Sequence, residues 1–338
     1  MGFVDALDRT QRRRSFLGIP IGVFFKFVDD QGPYLAAIVS FYATLAVFPI
    51  LLLATSIFGF VLQGNDDLQR QVLDSALTTF PIIGEELGRP DGLQGSTTGV
   101  VVGVLAATYG SLGLGQALQN ALNVAWSVPR NNRPNPVALR FKSLLLLLTL
   151  GIFMIAITAV SIAGAEIFGD SMLIRWLIRL ANVTLVGILL TVVFRLAAAR
   201  RHHLGRAAPG AFTVAVLWLV LQEVGQYYTT QVLAGTKGMD AAFGLVLGLI
   251  GIIYVASFMG VIGIEVNVVL ARKLWPRSLR TLFVDRPELT DADRRAYASY
   301  AQAQRHKTSE EVQVAFKDPE TGELLIPHEP GRNGRKSD

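Results

Sequence analysis

The residues best spaced for chemistry are four amides on one apolar stretch. Gln116, Gln119, Asn120 and Asn123 recur at i, i+3, i+4 and i+7, which places them in one stripe along a helix. Two readings follow: the polar wall of a substrate path, or interhelical hydrogen bonds that fix the bundle. Glu265 and Asn267 form a second polar island, near the end of another apolar run. A buried carboxylate there must find a cation or take up a proton. Depth along the chain suggests Arg195 as its ion-pair partner; a proton-coupled carboxylate is the alternative. A third group, Glu166, Arg175, Arg179, Asn182 and Glu223, falls at comparable depth on three apolar segments. It reads as a charge-paired gate or as arginines reaching out of the apolar layer beside unrelated acids.

Other chemistries lack their residues. The chain has no cysteine, which removes disulfides, thiolate catalysis, iron–sulfur clusters and cysteine-bound zinc. Of four histidines, His202 and His203 are adjacent in a basic loop, and His306 and His328 stand in a polar tail. Adjacent side chains do not converge on one metal. There is no phosphate-binding glycine loop and no Gly-x-Ser-x-Gly elbow. No catalytic residue, metal or cofactor is therefore expected, and the chain does not read as an enzyme.

These polar residues must be positioned by membrane helices. Of 338 residues, 51% are hydrophobic and 17% charged, against about 25% charged in a soluble domain. Six apolar segments, at about 34–62, 98–124, 142–168, 176–197, 211–228 and 242–270, approach or exceed the ~20 residues that cross a bilayer. Positive charge gathers in alternate connections. Arg9, Arg12, Arg13 and Arg14 precede the first span, and Arg130, Arg133, Arg140 and Lys142 lie around the second connection. Arg195, Arg200, Arg201 and Arg206 mark the fourth, and Arg272, Lys273, Arg277 and Arg280 follow the last span. The loop 63–97 has two arginines against six acids. This alternation predicts an all-α polytopic membrane bundle with about six transmembrane helices and both termini cytoplasmic.

The chain divides accordingly. Residues 1–33 form a cytoplasmic segment, in which Phe16–Val28, with Lys26 inside it, reads as a helix lying on the membrane surface. Residues 34–273 form the transmembrane domain, with an outer loop at 63–97 that carries a short amphipathic helix. Residues 274–338 form a polar cytoplasmic tail, partly disordered, with helical potential at 291–306. The pairs Gly99–Gly103 and Gly244–Gly248 fit close helix approach, either within one chain or between copies in a homo-oligomer. Pro49 would kink the first span. The basic loops suit anionic lipid headgroups at the cytoplasmic face. They lack the interleaved aromatics of a nucleic-acid surface, so membrane lipids rather than nucleic acid are the expected partners.

Four stretches carry a resemblance. Ala36–Phe60 (AAIVSFYATLAVFPILLLATSIFGF), Gln116–Val128 (QALQNALNVAWSV), Arg201–Ala211 (RHHLGRAAPGA) and Gly263–Leu270 (GIEVNVVL) resemble, in order and spacing, the YihY/BrkB family. The likeness spans roughly 16–273 and implies a multi-pass protein of the bacterial inner membrane with a poorly defined activity. Members are often labelled ribonuclease BN, a label for which this sequence holds no metal-binding constellation. A tryptophan expected in the middle of the last span is replaced by the Ile252–Ile253–Tyr254 region. The resemblance supplies no catalytic residues. Together these readings point first to a transporter or flippase-like protein for an amphiphilic or lipid-linked substrate. The alternative is a scaffold of the cell envelope.

Overall fold

The computed structural model describes residues 2–61, 97–135, 137–146, 149, 172–199, 203–232, 239–282, 288–317 and 324–325. Its helices are α1 (Gly2–Arg13), α2 (Ser15–Asp29), α3 (Gly32–Val61) and α4 (Thr97–Ala125), then α5 (137–146). They continue with α6 (Met172–Ala197), α7 (Leu204–Tyr227), α8 (Met239–Arg272) and α9 (Asp291–Ala303). A two-residue antiparallel pairing of Phe316–Lys317 with Leu324–Leu325 follows.

Four of these helices are long and apolar enough to cross a membrane: Val101–Ala125, Trp176–Ala197, Leu204–Tyr227 and Val246–Arg272. Gly32–Val47, the first half of α3, is a shorter apolar stretch. Of the expected third span only its first turns fall on α5. Its remainder, and the amphipathic helix expected in loop 63–97, lie outside the described residues. The expected boundaries of the second and last spans agree with α4 and α8 to within a few residues. The fifth differs: α7 begins at Leu204, seven residues before the apolar run. Pro209 stands in its second turn, where its missing N–H leaves the Gly205 carbonyl without its intrahelical donor. Pro49, expected to kink the first span, lies inside α3.

The outward faces of these helices are apolar. Val101, Leu105 and Tyr109 on α4 are exposed at helical spacing, as are Val216, Val220, Val224 and Tyr227 on α7 and Leu177 and Leu180 on α6. A soluble protein would not leave such stripes in water, whereas hydrocarbon solvates them. Inside the bundle, α3 packs on α4, α6 on α7, and α8 on both α7 and α3.

Small residues set the helix spacing. A Cβ on Gly110 would lie 2.8 Å from the backbone of Ala46, and one on Gly113 would meet the Tyr42 ring at 2.3 Å. Gly210 and Gly263 bring α7 and α8 closest: a Cβ on Gly210 would fall 1.8 Å from the Gly263 carbonyl oxygen. Gly103 is buried on α4, and Gly99 lies within the first turn of the same helix. Gly248 receives the Tyr228 ring, while the Gly244 carbonyl accepts from the Tyr228 hydroxyl at 2.9 Å. Gly110, Gly113, Gly210, Gly248 and Gly263 act as contact points.

The best-buried core collects at one end of the bundle. It contains Ala121, Leu122 and Ala125 of α4 and Trp126 just past its end, Val193 and Phe194 of α6, Ala207 and Ala211 of α7, and Ile264, Val268 and Val269 of α8. Val23 and Phe27 of α2 and Ala296 of α9 join the same cluster. The N-terminal helices and the chain after α8 thus close over one end of the bundle. At that end α4 and α8 finish alike. Ser127 and Lys273 adopt φ of 45° and 52°, and Val128 N–H and Leu274 N–H reach back to the carbonyls of Asn123 and Val269 at 2.8 and 3.1 Å. This Schellman-type turn satisfies carbonyls that a helix end leaves open. Arg272 adds a charge there, donating to the Trp126 carbonyl at 2.5 Å.

Candidate functional site

The amide stripe resolves into unlike halves. Gln119 is 1% exposed, and its side-chain N–H groups reach the Gly115 carbonyl at 3.0 Å, the Leu139 carbonyl at 3.2 Å and the Ser143 hydroxyl at 3.1 Å. It therefore ties α4 to α5 where Gly115 lets Ser143 approach. Asn123, one turn on, is buried as well, whereas Asn120 is half-buried and Gln116 exposed. Gln119 Oε1 and Asn123 Oδ1 are buried with no donor among the described residues. The inward part of the stripe is thus two acceptors a turn apart.

Asn267 has a definite task. Its Oδ1 accepts from the Gly210 backbone N–H at 2.7 Å, so the side chain bonds α8 to α7 beside the Gly210–Gly263 crossing. Of the third group, Arg179 and Glu223 meet at 3.1 Å with more than half of each side chain exposed. Such a pair contributes little on its own in water. Glu166 and the side chain of Arg175 lie outside the described residues.

Glu265 corrects the expectation most. Its partner is Lys26 of α2, with the ammonium 3.7 Å from its carboxylate, and the expected pairing with Arg195 in the last turn of α6 is replaced. The reason is tertiary: α2 packs against α8 and carries a cation to that depth from the other end of the sequence. Lys26, whose presence suggested a surface helix, is fully buried. It also bonds Asp30, one turn along, at the end of α2. Phe16, Pro20, Phe24 and Val28 form the outward face of α2, so the helix has one side against the bundle and an apolar side turned out.

A second charge network adjoins the first. Arg277, fully buried, binds Asp293 of α9 at 2.5 Å and Asp29 of α2 at 2.9 Å. The rings of Phe25 and Tyr297 flank its guanidinium at 5.5 and 5.4 Å, a geometry that favours a cation. Burial alone would weaken the hold of Arg277 on its proton, but the charges of Asp293 and Asp29 outweigh it and raise the affinity. Tyr300 of α9 donates to Asp29 at 3.2 Å and lies 5.0 Å from the Lys26 ammonium. Burial, with the nearby Asp30 and Asp29 charges, holds its phenol above the ordinary range. Asp293 also accepts from Ser278 N–H at 3.0 Å and from Thr290 N–H at 2.9 Å, closing a capping box with Thr290. Further out, Ser127 and Ser299 meet at 3.3 Å.

Lys26, Asp29, Asp30, Arg277, Asp293 and Tyr300 were not among the site residues expected from the sequence. Three local signals were present: Lys26 and Asp30 at i, i+4, the Thr290–Asp293 capping spacing, and two acids ending α2. None of them says that α2 and α9 converge on α8. Arg277 read as an orientation marker, and its second role appears only when the chain is folded. The helical potential at 291–306 corresponds to α9, and this stretch of the tail is docked and ordered by contacts.

The architecture defines an all-α membrane bundle with a charged joint at one end, and the protein is an integral membrane protein. The sequence pattern of the Virulence factor BrkB family matches residues 23–280, well over half of the chain, and the protein belongs to that family. No curated protein and no solved structure matches it. The matched stretch contains Lys26, Asp30, Glu265 and Arg277 and stops short of α9, so Asp293 and Tyr300 are contributed from beyond it.

Proposed function

We propose that this protein is a transporter or flippase-like protein that handles an amphiphilic or lipid-linked substrate in the bacterial inner membrane. The observation that carries the reading is the pair of buried acceptors on α4, Gln119 Oε1 and Asn123 Oδ1. Buried polar atoms are normally satisfied, and in an apolar bundle two unmet acceptors a turn apart suit the hydroxyl or amide donors of a polar headgroup. The charged joint at the end of the bundle adds elements that move only by breaking ion pairs. A scaffolding role in the envelope is the second reading. It is favoured by the bonds from Gln119 to Leu139 and Ser143, which are those of helix glue.

Mass spectrometry of the protein extracted with its native lipids separates the two. On the transport reading, wild type retains a defined lipid or lipid-linked molecule that Gln119→Leu/Asn123→Leu loses while still inserting. Bulk lipid alone, identical in both, would discard the substrate path and leave the scaffold.

A further inference from the structure

Glu265 and Asp30 present a charge problem that the fold does not otherwise solve. Lys26 and Glu265 are fully buried and Asp30 is 7% exposed. The Lys26 ammonium bonds Asp30 directly, which matches one cation with one anion. Glu265 is the additional anion. Lys26 is 3.7 Å from it, beyond a hydrogen bond, and among the described residues neither Glu265 oxygen has an N–H or O–H donor. The one ammonium is therefore where both buried acids meet, bonded to Asp30 and 3.7 Å from Glu265. Two ionised carboxylates are acceptors only, so around a single ammonium the cluster is neutral only if one of them carries a proton. An unmatched buried charge is strongly unfavourable.

Among the described residues, the surrounding groups offer no second cation for Glu265. From α2 come Lys26 and Asp29, and Asp29 is an anion bound to Arg277 and Tyr300. Arg277, from the segment after α8, faces Asp29 and Asp293. From α9 comes Tyr300, whose ring lies over Lys26. The sequence of α3, which packs on α8, has no charged residue. On α7, Arg206 is exposed in the first turn and Glu223 is exposed toward the far end.

We propose that Asp30 and Glu265 form a proton-binding site, a single proton shared between their carboxyl groups beside the Lys26 ammonium. With the proton the triad is neutral; without it one negative charge is left inside the joint between α2 and the last span. Burial raises the proton affinity of Asp30, against the opposing charge of Lys26. Proton occupancy is therefore linked to the seating of α2 on α8, because separating them would let water solvate both acids. The site follows from the charge geometry alone and does not depend on the transport reading.

Infrared spectroscopy of the full-length protein in phosphatidylcholine–phosphatidylglycerol vesicles tests it, through the carbonyl stretch of a protonated carboxyl group followed against pH. Wild type should show this band at neutral pH. Both Glu265→Gln and Asp30→Asn should lose it, since either acid left alone pairs with Lys26 and ionises. Lys26→Met should keep the band and move its titration midpoint upward by about 1–3 pH units, the range for removing a nearby opposite charge. No such band in wild type at neutral pH, or a band that survives both amide variants, would overturn the proposal. Should both amide variants aggregate, the Lys26→Met midpoint decides: an upward shift supports the shared proton and an unchanged midpoint refutes it.

Discussion

Replacing Asp293 by alanine should release α9 from the end of the bundle. Asp293 is fully buried and does two things at once. As the third residue of α9 it completes the capping box with Thr290, a contact whose loss costs about 1 kcal/mol. It also accepts from the Arg277 guanidinium at 2.5 Å, a bond to a charged group worth about 1.5–3 kcal/mol. Asp29 stays 2.9 Å from Arg277, so the cation is not stranded and the full 3–5 kcal/mol of a broken buried pair is not reached. Together these give about 3 kcal/mol, or roughly a hundredfold rise in the open population of α9, at 1.4 kcal/mol per factor of ten. Hydrogen exchange of residues 291–303, followed by mass spectrometry in detergent micelles, reads that population directly. Asp291→Ala is the control. That side chain is in the same first turn but 85% exposed, with Arg294 at 3.8 Å, and its loss should change exchange severalfold at most. Equal protection in Asp293→Ala and Asp291→Ala would refute the claim that buried charge, and not helix propensity, holds α9 down.

Other expectations follow from the same contacts. Gly210→Ala should push α7 from α8, because the added methyl meets the Gly263 carbonyl at 1.8 Å. A loss of at least about 1–3 kcal/mol should appear as a lower melting temperature in detergent, whereas Gly251→Ala, with nothing within 4 Å, should melt no lower than wild type. Lys273→Gly should stabilise the protein by about 1 kcal/mol, since Lys273 sits at φ 52° where glycine carries no side-chain penalty; an unchanged melting temperature would count against that strain. The Asp30 carboxyl has a raised pKa from burial, opposed by Lys26, so the folded state binds its proton at pH values where the unfolded chain has lost it. Its contribution to stability is therefore fully present below the ordinary aspartate range and declines as pH rises through the raised value. Asp30→Asn should flatten that part of the stability-versus-pH curve measured by thermal unfolding in detergent, and an unaltered slope would refute the assignment.

How much was legible in the sequence depended on how local the cause is. The positions of the long apolar helices were, because hydrophobic length and the absence of charge are local properties of the chain. The end of α4 and both ends of α8 were placed to within three residues on that ground. The capping of α9 was legible too, since Thr290 and Asp293 interact across three residues. The stripe Gln116–Asn123 could be read as one face, but which of its amides point inward could not. That depends on α5 lying beside Gln119 and leaving Gln116 exposed.

The charged joint belongs to tertiary structure altogether. Lys26 and Glu265 are far apart in the chain, and so are Asp29 and Arg277. Depth in the membrane offered Glu265 a partner on the fourth span, Arg195, and the charge of Lys26 marked it as a residue that ought to remain near water. Packing α2 on α8 overrode both, because the apolar residues around Lys26, Val23 and Phe27 among them, are buried in the same core and carry the ammonium in with them. Composition alone determined that this chain is a membrane bundle. Only the fold decided which of its few charges meet, since the burial that makes those meetings consequential is produced by helices from opposite ends of the sequence.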